Sequence, residues 1–385
     1  MDTAHVKLPL LAAALAASCA LVTDFDGYEL GMTGQAGAGG SSCVPPLTSC
    51  DGECIDLAVD AVNCGGCGHD CLGAGCENGQ CEPEELANGL GLVSRMAIDD
   101  THVYFATYGI APCPAPDCTV NRFPKSGGAV QLLASDVREV TGIALDATHV
   151  YVSAYTAGSG DGVRRIPKAG GAKETVDGCN TAFSVALDDD FAFFVTASCG
   201  GTPLLRRADK TDLPQQVEVE DPTPEAYAYA SYGYLAVGPD DVFWVNAKAL
   251  MTAPKTLASA TELVPAPARG RGIVRDNDGL WVVFGTDIYA VSEDGMSSQP
   301  FATMQLMDPH MYSLYIGLAT DSTHVYWPSD VPDPMNGTIV KRSKTPSDAQ
   351  PIVIASGQFG PFLVAVDATH AYWVNADGSI WRVAL

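Results

Sequence analysis

Four histidines occur in nearly the same short motif, and histidine is both a common metal ligand and a common general base. The motif reads Asp-x-Thr-His-x-Tyr, and its clearest copies contain, in chain order, His102, His149, His324 and His370. Because equivalent positions in separate repeats lie far apart in a folded chain, these histidines are not expected to form one site. We expect each Asp and Thr to form an Asx-type turn whose side chains satisfy backbone N–H groups.

The same segment recurs seven times if weaker copies are included. The copies begin, in chain order, at Asp99, Asp146, Asp188, Gly238, Asp276, Asp321 and Asp367. Their spacing averages about 45 residues, which is the length of one four-stranded propeller blade. The second unit divides into strands A to D at 142–145, 149–155, 162–167 and 173–176. The sequence therefore predicts an all-β fold with a seven-bladed β-propeller over residues 83–385.

The two ends of the propeller region complement each other. Residues 380–383 match strand C of the other repeats, and no seventh strand D follows them. Residues 84–90 align without gaps with the strand D segment 130–136 of the first repeat. We therefore expect residues 84–90 to pair with the last blade, which would close the ring and remove two open sheet edges.

Cysteine usage indicates an oxidising compartment and a second module. Of thirteen cysteines, eight fall between Cys43 and Cys81. About 40 residues cannot build an adequate core unaided, so residues 43–82 are predicted to form a small disulfide-rich module. Eight cysteines permit 105 pairings, and the sequence does not choose among them. Two further disulfides are predicted in the propeller, between the cysteine pairs Cys113–Cys118 and Cys179–Cys199.

Two alternatives to this disulfide assignment involve other chemistry. Cys64, Cys67, His69 and Cys71 have the spacing of a metal knuckle, although an even-numbered cysteine cluster in an exported protein usually oxidises. Calcium is the other candidate ion, because the chain is acidic, but no loop has the D-x-[DN]-x-[DN]-G pattern of an EF-hand. The prediction is that the protein has no metal and no cofactor.

The N-terminus has the pattern of an export signal. Lys7 precedes an apolar run over residues 8–15, and small residues precede Cys19. Residues 1–18 are therefore predicted to be a signal peptide, with Cys19 as a lipidation site and residues 19–42 as a flexible, Gly- and Ser-rich tether. A plain signal peptidase cut is the alternative, because Ala16 stands where a lipidation motif usually has leucine. Removing Cys19 leaves twelve cysteines, an even number.

Three segments resemble known families. The segment 63–68, Asn-Cys-Gly-Gly-Cys-Gly, with its flanking Cys-x3-Cys and Cys-x4-Cys pairs, resembles the small cysteine-rich repeats of secreted and lipid-anchored bacterial surface proteins. The segment before Cys19 is similar to a bacterial lipobox, and Ala20 after it implies sorting to the outer membrane. The segment 367–382 resembles the Tyr-Trp-Thr-Asp and NHL-like groups of β-propellers. This last resemblance implies the fold only, since the Tyr-Trp-Thr-Asp class has six blades.

The net charge excludes several classes of partner. The formal charge is -25 at pH 7, whereas nucleic-acid binding requires a basic surface. The same acidity would repel anionic lipid headgroups, so contact with a membrane is expected only through the lipid anchor. We expect an exported monomer at the outer membrane or cell surface, whose partner is an envelope protein, a peptide or a carbohydrate.

The topology of a blade predicts where a ligand would bind. The A–B and C–D connections share one face and repeat from blade to blade, whereas the D–A and B–C connections share the other face and vary. Tyrosine supplies flat contact area with a polar tip. The predicted ligand-binding residues on the variable face are Tyr229, Tyr232, Tyr312, Tyr315, Arg138 and Arg271. The alternative is that several of these tyrosines only pack within strand A.

Catalysis has no sequence signature in this chain. The G-x-S-x-G, H-E-x-x-H, phosphate-loop and dinucleotide-binding motifs do not occur. The preferred function is therefore non-catalytic recognition or scaffolding at the cell envelope. The alternative is an extracytoplasmic lyase or lactonase-like hydrolase that acts on a carbohydrate or a small ester, with His310 as general base and Asp308 or Glu225 as its partner. A purely structural envelope protein is a third hypothesis.

Overall fold

The computed structural model describes ten stretches of the chain. They are residues 43–108, 118–154, 162–179, 181–196, 204–213, 216–220, 234–305, 317–329, 334–345 and 349–385. Seven four-stranded antiparallel sheets follow one another along residues 84–385, and each has its strands in sequence order except the last. The fold is an all-β, seven-bladed β-propeller preceded by a disulfide-bonded cysteine-rich segment, as the repeat predicted.

The first four blades each contain strands A, B, C and D in that order. Blade 1 has β6 Val93–Ile98, β7 His102–Thr107, β8 Val120–Pro124 and β9 Gln131–Ala134. Blade 2 has β10 Val140–Leu145, β11 His149–Ala154, β12 Val163–Pro167 and β13 Glu174–Asp177. Blade 3 has β14 Ala182–Leu187, β15 Phe191–Thr196, β16 Leu204–Asp209 and β17 Gln216–Glu220. Blade 4 has β18 Tyr234–Val237, β19 Asp241–Val245, β20 Ala249–Pro254 and β21 Thr261–Pro265.

The last three blades complete the ring. Blade 5 has β22 Gly270–Asp276, β23 Gly279–Phe284, β24 Asp287–Val291 and β25 Ser298–Thr303. Blade 6 has β26 Ala319–Thr320, β27 His324–Ser329, β28 Gly337–Ser343 and β29 Ile352–Gln358, with a 3-10 turn at Pro334–Asn336. Blade 7 has β30 Leu363–Val366, β31 His370–Val374, β32 Ile380–Ala384 and, as its fourth strand, β5 Glu84–Ala87.

The chain closes its own ring through β5. The backbone of Arg382 on β32 pairs with Glu84, and Ile380 pairs with Ala87. The Arg382 guanidinium also donates from Nε to Glu84 Oε2 at 2.7 Å. The strand expected over residues 84–90 is thus four residues long. It fills the position of strand D and covers the edge of the seventh sheet, which would otherwise be open.

Burial follows the position of each strand within its blade. Strand B residues such as Val150 and Val152 are fully buried because strands A and C flank them in the sheet and neighbouring blades cover both faces. Strand D begins exposed and ends buried, as in β9 and β13. The core is therefore a series of apolar layers between adjacent blades.

The cysteine-rich segment is held together by four disulfides. The pairs are Cys43–Cys54, Cys50–Cys67, Cys64–Cys76 and Cys71–Cys81. Two short hairpins complete it: β1 Thr48–Cys50 with β2 Glu53–Ile55, and β3 Cys76–Glu77 with β4 Gln80–Cys81. The metal-knuckle alternative is wrong, because all three of its cysteines are disulfide-bonded.

This segment packs against the propeller at blades 6 and 7. The buried sulfurs of Cys64, Cys71 and Cys81 lie in the same apolar cluster as Tyr326 and Trp373. The Gln80 side chain also donates from Nε2 to the carbonyl of residue 353, on β29, at 3.0 Å. The module therefore shares its small core with the larger domain.

Several sequence predictions lie partly or wholly outside the described residues. Cys118 and Cys179 are each disulfide-bonded, but their predicted partners Cys113 and Cys199 are outside the described stretches, and so is Cys19 with all of residues 1–42. Within the described residues, no helix has the length and apolar character that a membrane-spanning helix requires.

The repeated aspartate forms the turn that the sequence predicted. Asp99 Oδ1 accepts hydrogen bonds from the backbone N–H groups of Thr101 and His102, at 2.9 and 2.8 Å. The Thr101 hydroxyl contacts His102 Nδ1 at 2.7 Å. The turns at Asp146, Asp321 and Asp367 repeat all of these contacts. The four histidines therefore serve local turn geometry, as expected, and sit one per blade.

The second oxygen of the same aspartate joins neighbouring blades. Asp99 Oδ2 accepts from the Tyr104 hydroxyl at 2.9 Å, and from Lys168 Nζ of the next blade at 2.8 Å. We call such a lysine–aspartate pair an interblade clamp. Five of the seven interfaces contain one: Lys125–Asp367, Lys168–Asp99, Lys210–Asp146, Lys255–Asp188 and Lys344–Asp276, with nitrogen–oxygen distances of 2.6, 2.8, 3.7, 2.9 and 2.6 Å.

The clamps keep their aspartates ionised. Partial burial by itself raises the pKa of Asp99, but the hydrogen bonds from Lys168, the turn backbone and Tyr104 outweigh it and hold that pKa well below its ordinary value. The pKa of Asp367 is lowered in the same way through Lys125. The aspartate of each of these two clamps is thus charged at any pH above the normal range of a carboxyl group.

Arginine side chains of strand C also link neighbouring blades. Arg165, Arg207 and Arg382 each donate from Nη1 to a backbone carbonyl in the next blade, at 2.6 to 2.8 Å. The accepting carbonyls belong to Lys210, Lys255 and Lys125, which are themselves clamp residues. On this face of the ring, clamps or arginine contacts therefore link five of the seven pairs of neighbouring blades.

Candidate binding site

A central cavity of about 230 Å³ lies where the seven innermost strands converge. Its lining contains a pair of consecutive residues from each blade, which lie in strand A or, in blade 6, directly before it. They are the fourth and third residues before the first residue of each motif copy. The pairs are Arg95–Met96, Gly142–Ile143, Ser184–Val185, Tyr234–Leu235, Gly272–Ile273, Gly317–Leu318 and Leu363–Val364, with Thr141 as a further member. We call the first residue of each pair its ring residue.

The seven ring residues break the symmetry of the propeller. Three are glycine, one is serine and one is leucine, whereas blades 1 and 4 place Arg95 and Tyr234 there. Close packing leaves no room for a side chain at two of these glycines, Gly142 and Gly317: a Cβ on Gly317 would lie 2.2 Å from the backbone nitrogen of Val364. The cavity therefore has a wall of mixed apolar and polar character, which includes one guanidinium and one phenol.

Arg95 is fixed within this wall. Only 6% of the surface of Arg95 is exposed to solvent. Nε donates to the Thr141 carbonyl of blade 2 and Nη1 to the Ser94 carbonyl, both at 2.6 Å. Thr141 is itself held, because its hydroxyl donates to the Ala182 carbonyl of blade 3 at 2.6 Å. A cation held by backbone carbonyls in this way keeps one orientation, which suits it for binding an anionic group.

A second positive region lies where the chain enters blade 5. Arg271 immediately precedes the ring residue Gly272 and is half-buried. Burial, and to a lesser extent the charge of Arg269, lower the pKa of Arg271, while Tyr234 acts in the opposite direction. Two arginines and a tyrosine from blades 4 and 5 thus lie near one another on the side of the ring where the D–A connections enter.

The structure separates the two arginines that the sequence singled out. Arg271 adjoins the cavity lining, whereas Arg138 does not belong to it. Arg138 lies on the D–A connection before β10, is well exposed, and contacts Asp136 through its Nε at 3.3 Å. On the same connection, burial raises the pKa of Glu139.

The remaining predicted site residues lie outside the described residues. These are the binding candidates Tyr229, Tyr232, Tyr312 and Tyr315, and the catalytic candidates His310, Asp308 and Glu225. They stay predictions.

Sequence reasoning missed Arg95 as a site residue, although the sequence contained the signal. Arg95 occupies the same offset from Asp99 as Gly142 does from Asp146 and Ser184 from Asp188. Aligned at this offset, the seven repeats have one arginine and one tyrosine among glycine, serine and leucine. The predicted residues came from loops instead, because loops most often hold binding residues.

The described residues of the lining supply one cation and several hydroxyl groups. Among these described residues there is no histidine, cysteine, lysine or carboxylate. The Arg95 guanidinium donates hydrogen bonds and has no acceptor atom. Tyr234, Thr141 and Ser184 supply hydroxyl groups. Together these side chains can bind and orient an anionic or polar group.

Comparisons with known proteins agree with the propeller fold. No protein-family model matches the chain, and no curated protein matches it in sequence. Virginiamycin B lyase from Staphylococcus aureus is structurally similar, with a TM-score of 0.60 and 14% identity over 79% of this chain and 98% of the lyase. A catalytically inactive variant of that lyase with quinupristin gives a TM-score of 0.58, with 15% identity over the same shares of the two chains.

An extracellular domain of another protein has a similar fold. The extracellular domain of a putative one-component system from B. thetaiotaomicron gives a TM-score of 0.55 and 10% identity over 79% of this chain and 40% of that one. Identities this low establish a shared propeller architecture and nothing about ligands or reactions.

Proposed function

We propose that this protein is an exported, non-catalytic recognition protein of the cell envelope. Its ligand would be a peptide or a protein segment whose anionic group enters the central cavity from the variable face. The observation that carries this proposal is Arg95, a buried guanidinium with a fixed orientation at a position where three other blades have glycine. A net charge of -25 makes a buried cation in the central wall a specific feature rather than part of a general basic surface.

The size of the cavity limits what enters it. A volume of about 230 Å³ is below the roughly 300–1,000 Å³ of sites that enclose a whole small-molecule ligand. It suits a terminal carboxylate or one acidic side chain. The rest of such a ligand would lie over the variable face, where the sequence places Tyr229, Tyr232, Tyr312 and Tyr315.

Peptides that differ in one charge test this proposal. Fluorescein-labelled peptides of identical sequence, ending in a free carboxylate or a carboxamide, would be titrated with the mature, oxidised protein and followed by anisotropy. We expect the carboxylate forms to bind and Arg95→Gln to weaken them by about tenfold or more, the effect of losing one charge-assisted contact. Arg122→Gln is the matched control, since it removes the same charge from strand C of the same blade. Equal binding by both peptide forms would contradict the proposal.

A propeller lyase is the second candidate function, because the similarity to virginiamycin B lyase covers nearly all of that enzyme. Under this hypothesis His310 would be the general base, with Asp308 or Glu225 as partner. Incubation with quinupristin, followed by mass spectrometry, tests for turnover. We expect intact quinupristin; a cleaved product that disappears with His310→Ala would favour the lyase.

Export and anchoring form the remaining part of the proposal. The four disulfides support an oxidising location, and a lipid at Cys19 would tether the propeller through residues 19–42. Metabolic labelling with a radioactive fatty acid tests this directly. We expect label in the wild type and none in Cys19→Ser, while an unlabelled wild type would leave a secreted protein as the better description.

A further inference from the structure

A second cavity lies on the opposite face of the ring, between blades 5 and 6. It has a volume of about 630 Å³. Strands and turns of both blades contribute to it: Leu280 and Trp281 from β23, the connection after β24, the turn before β27, and the residues that follow β28. We call it the blade 5–6 cleft.

The cleft exists because blade 5 lacks a contact that the other six blades make. In those blades, the residue after strand C donates its backbone N–H to the A–B turn of the same blade. The donor–acceptor pairs are Lys125–Thr101, Lys168–Thr148, Lys210–Asp190, Lys255–Asp240, Lys344–Thr323 and Leu385–Thr369. In blade 5 the equivalent N–H, that of Ser292, donates instead to the Ser297 carbonyl at 2.9 Å. The C–D loop therefore closes on itself and leaves the space beside its A–B turn open.

The A–B turn of blade 5 also differs in chemistry. Trp281 replaces the repeated tyrosine, and its indole Nε1 donates to Asp276 Oδ2 at 2.8 Å. Asp278 replaces the repeated threonine. Lys344 of blade 6 contacts both carboxylates, Asp276 at 2.6 Å and Asp278 at 3.0 Å. Lys344, the one lysine among the described residues of the lining, is thus neutralised by two acids, so these residues do not favour an anion.

Hydroxyl groups dominate the polar part of the lining. Ser297, Ser322 and Thr345 are exposed and lie on three different segments around the cleft. Their hydroxyls have no hydrogen-bond partner among the described residues. The side chain of Asp278 is 57% exposed and can accept further hydrogen bonds. Leu280, Trp281 and Val291 supply an apolar side to the same space.

We propose that the blade 5–6 cleft is a binding site for an uncharged saccharide of one or two sugar units. Such a ligand has many hydroxyl donors and acceptors and an apolar C–H face. The described lining offers hydroxyls, the imidazole of His324, the accessible carboxylate of Asp278 and an apolar wall to match them. The volume lies within the range of small-ligand sites. This site is separate from the central cavity and does not depend on the function proposed for it.

Blocking variants with matched controls test the proposal. The oxidised protein would be titrated by saturation-transfer NMR and calorimetry with glucose, galactose, N-acetylglucosamine, maltose and chitobiose, up to about 10 mM, where weak sites are still detected. We expect at least one of these sugars to bind. Ser322→Phe should fill the cleft and raise the dissociation constant more than about tenfold. Ala147→Phe places the same side chain at the same turn position of blade 2 and should leave binding unchanged.

A second pair of variants tests the carboxylate. Asp278→Asn should weaken the same sugar about tenfold by removing the charge of the acceptor. Asp190→Asn, at the equivalent turn position of blade 3, should have no effect. The proposal is overturned if none of the five sugars binds, or if the sugar that binds does so equally well to Ser322→Phe. Failure of the carboxylate peptides at the central cavity would leave these outcomes unaffected.

Discussion

The face of the A–B and C–D turns and the central cavity differ in how far their residues repeat from blade to blade. On the face of the A–B and C–D turns, the same Asp, Thr, His, Tyr and Lys recur because each copy has the same structural role. Asp99, for example, caps its own turn and binds Lys168 of the next blade. Around the central cavity, equivalent positions differ, and one of them is Arg95. In this chain the repeated residues hold blades together, whereas the residues around the central cavity depart from the repeat.

Departures from the repeat also occur on the face of the A–B and C–D turns. Five interfaces have an interblade clamp, but the blade 4–5 and blade 6–7 interfaces do not, since Gly238 replaces the aspartate in one and Leu385 replaces the lysine in the other. Blade 5, which contributes to one of these two interfaces, is also the blade whose C–D loop leaves the blade 5–6 cleft open. Each local departure from the repeat therefore has a structural consequence.

Acid should give the largest effect, because it acts on all clamps together. The folded-state pKa values of Asp99, Asp146, Asp188, Asp276 and Asp367 are lowered. Their contribution to stability is therefore fully present above the unfolded-state pKa of about 3.9 and is lost as pH falls below it. We expect the urea midpoint to be flat from about pH 5 to 7 and to fall steeply below about pH 4.

Loss of one clamp should be the next largest effect. Asp99→Ala removes an acceptor for two backbone N–H groups, the Tyr104 hydroxyl and Lys168 Nζ, and leaves a partly buried lysine without its carboxylate. We expect the free energy of unfolding to fall by about 3 kcal/mol. The neighbouring, exposed Asp100→Ala should change it by less than about 0.5 kcal/mol. Equal effects of the two variants in urea titrations would show that the clamp is not stabilising.

A methyl group added at the central cavity should lower the stability by less than the loss of a clamp does. A Cβ on Gly142 would lie 2.6 Å from Ser153 Oγ and 2.9 Å from the backbone nitrogen of Val185. Gly142→Ala is expected to lower the free energy of unfolding by about 1–2 kcal/mol through overpacking. Gly170→Ala is not a matched control because its φ is +83°. Gly178→Ala is suitable, since it meets no atom within 4 Å and has no positive φ, and it should be nearly neutral.

Adding a clamp should give the smallest effect, and it should raise the stability. Leu385 donates its backbone N–H to Thr369 as the clamp lysines do in their own blades, so Leu385→Lys would place an ammonium group near Asp321 of blade 6. Leu385→Gln loses the same apolar packing without adding charge. We expect the lysine variant to be more stable than the glutamine variant by about 0.5 kcal/mol at low ionic strength. No difference in urea midpoint would mean that the blade 6–7 interface cannot form the pair.

The fold was largely predictable, because its signals are local and repeated. An Asx turn depends on residues two and three positions apart, so Asp99, Thr101 and His102 were sufficient to indicate it. Seven copies then gave the number of blades and the position of the closing strand. The clamp was not predicted, since Lys168 and Asp99 are 69 residues apart and meet only when blades are placed side by side. The disulfide pairing in residues 43–82 was open for the same reason.

The site was less predictable than the fold. Arg271 was identified from the variable D–A connections and adjoins the cavity lining, whereas Arg138 was identified by the same reasoning and does not. Arg95 was missed because its role depends on the inward position of one strand residue, which becomes visible only when the repeats are aligned by register. The blade 5–6 cleft depends on a single backbone N–H, that of Ser292, and no residue type signals that change.

The most direct test separates the stabilising role of the turn residues from the binding role proposed for the central cavity. It uses two variants, each measured in two ways. Asp99→Asn and Arg95→Gln would each be measured for urea stability and for binding of a carboxylate-ended peptide. Asp99→Asn should lower the stability and leave the dissociation constant of the folded protein unchanged. Arg95→Gln should raise the dissociation constant about tenfold or more, in a titration that the peptide can still saturate. If Arg95→Gln binds the peptide as tightly as the wild type, the central cavity is not the recognition site.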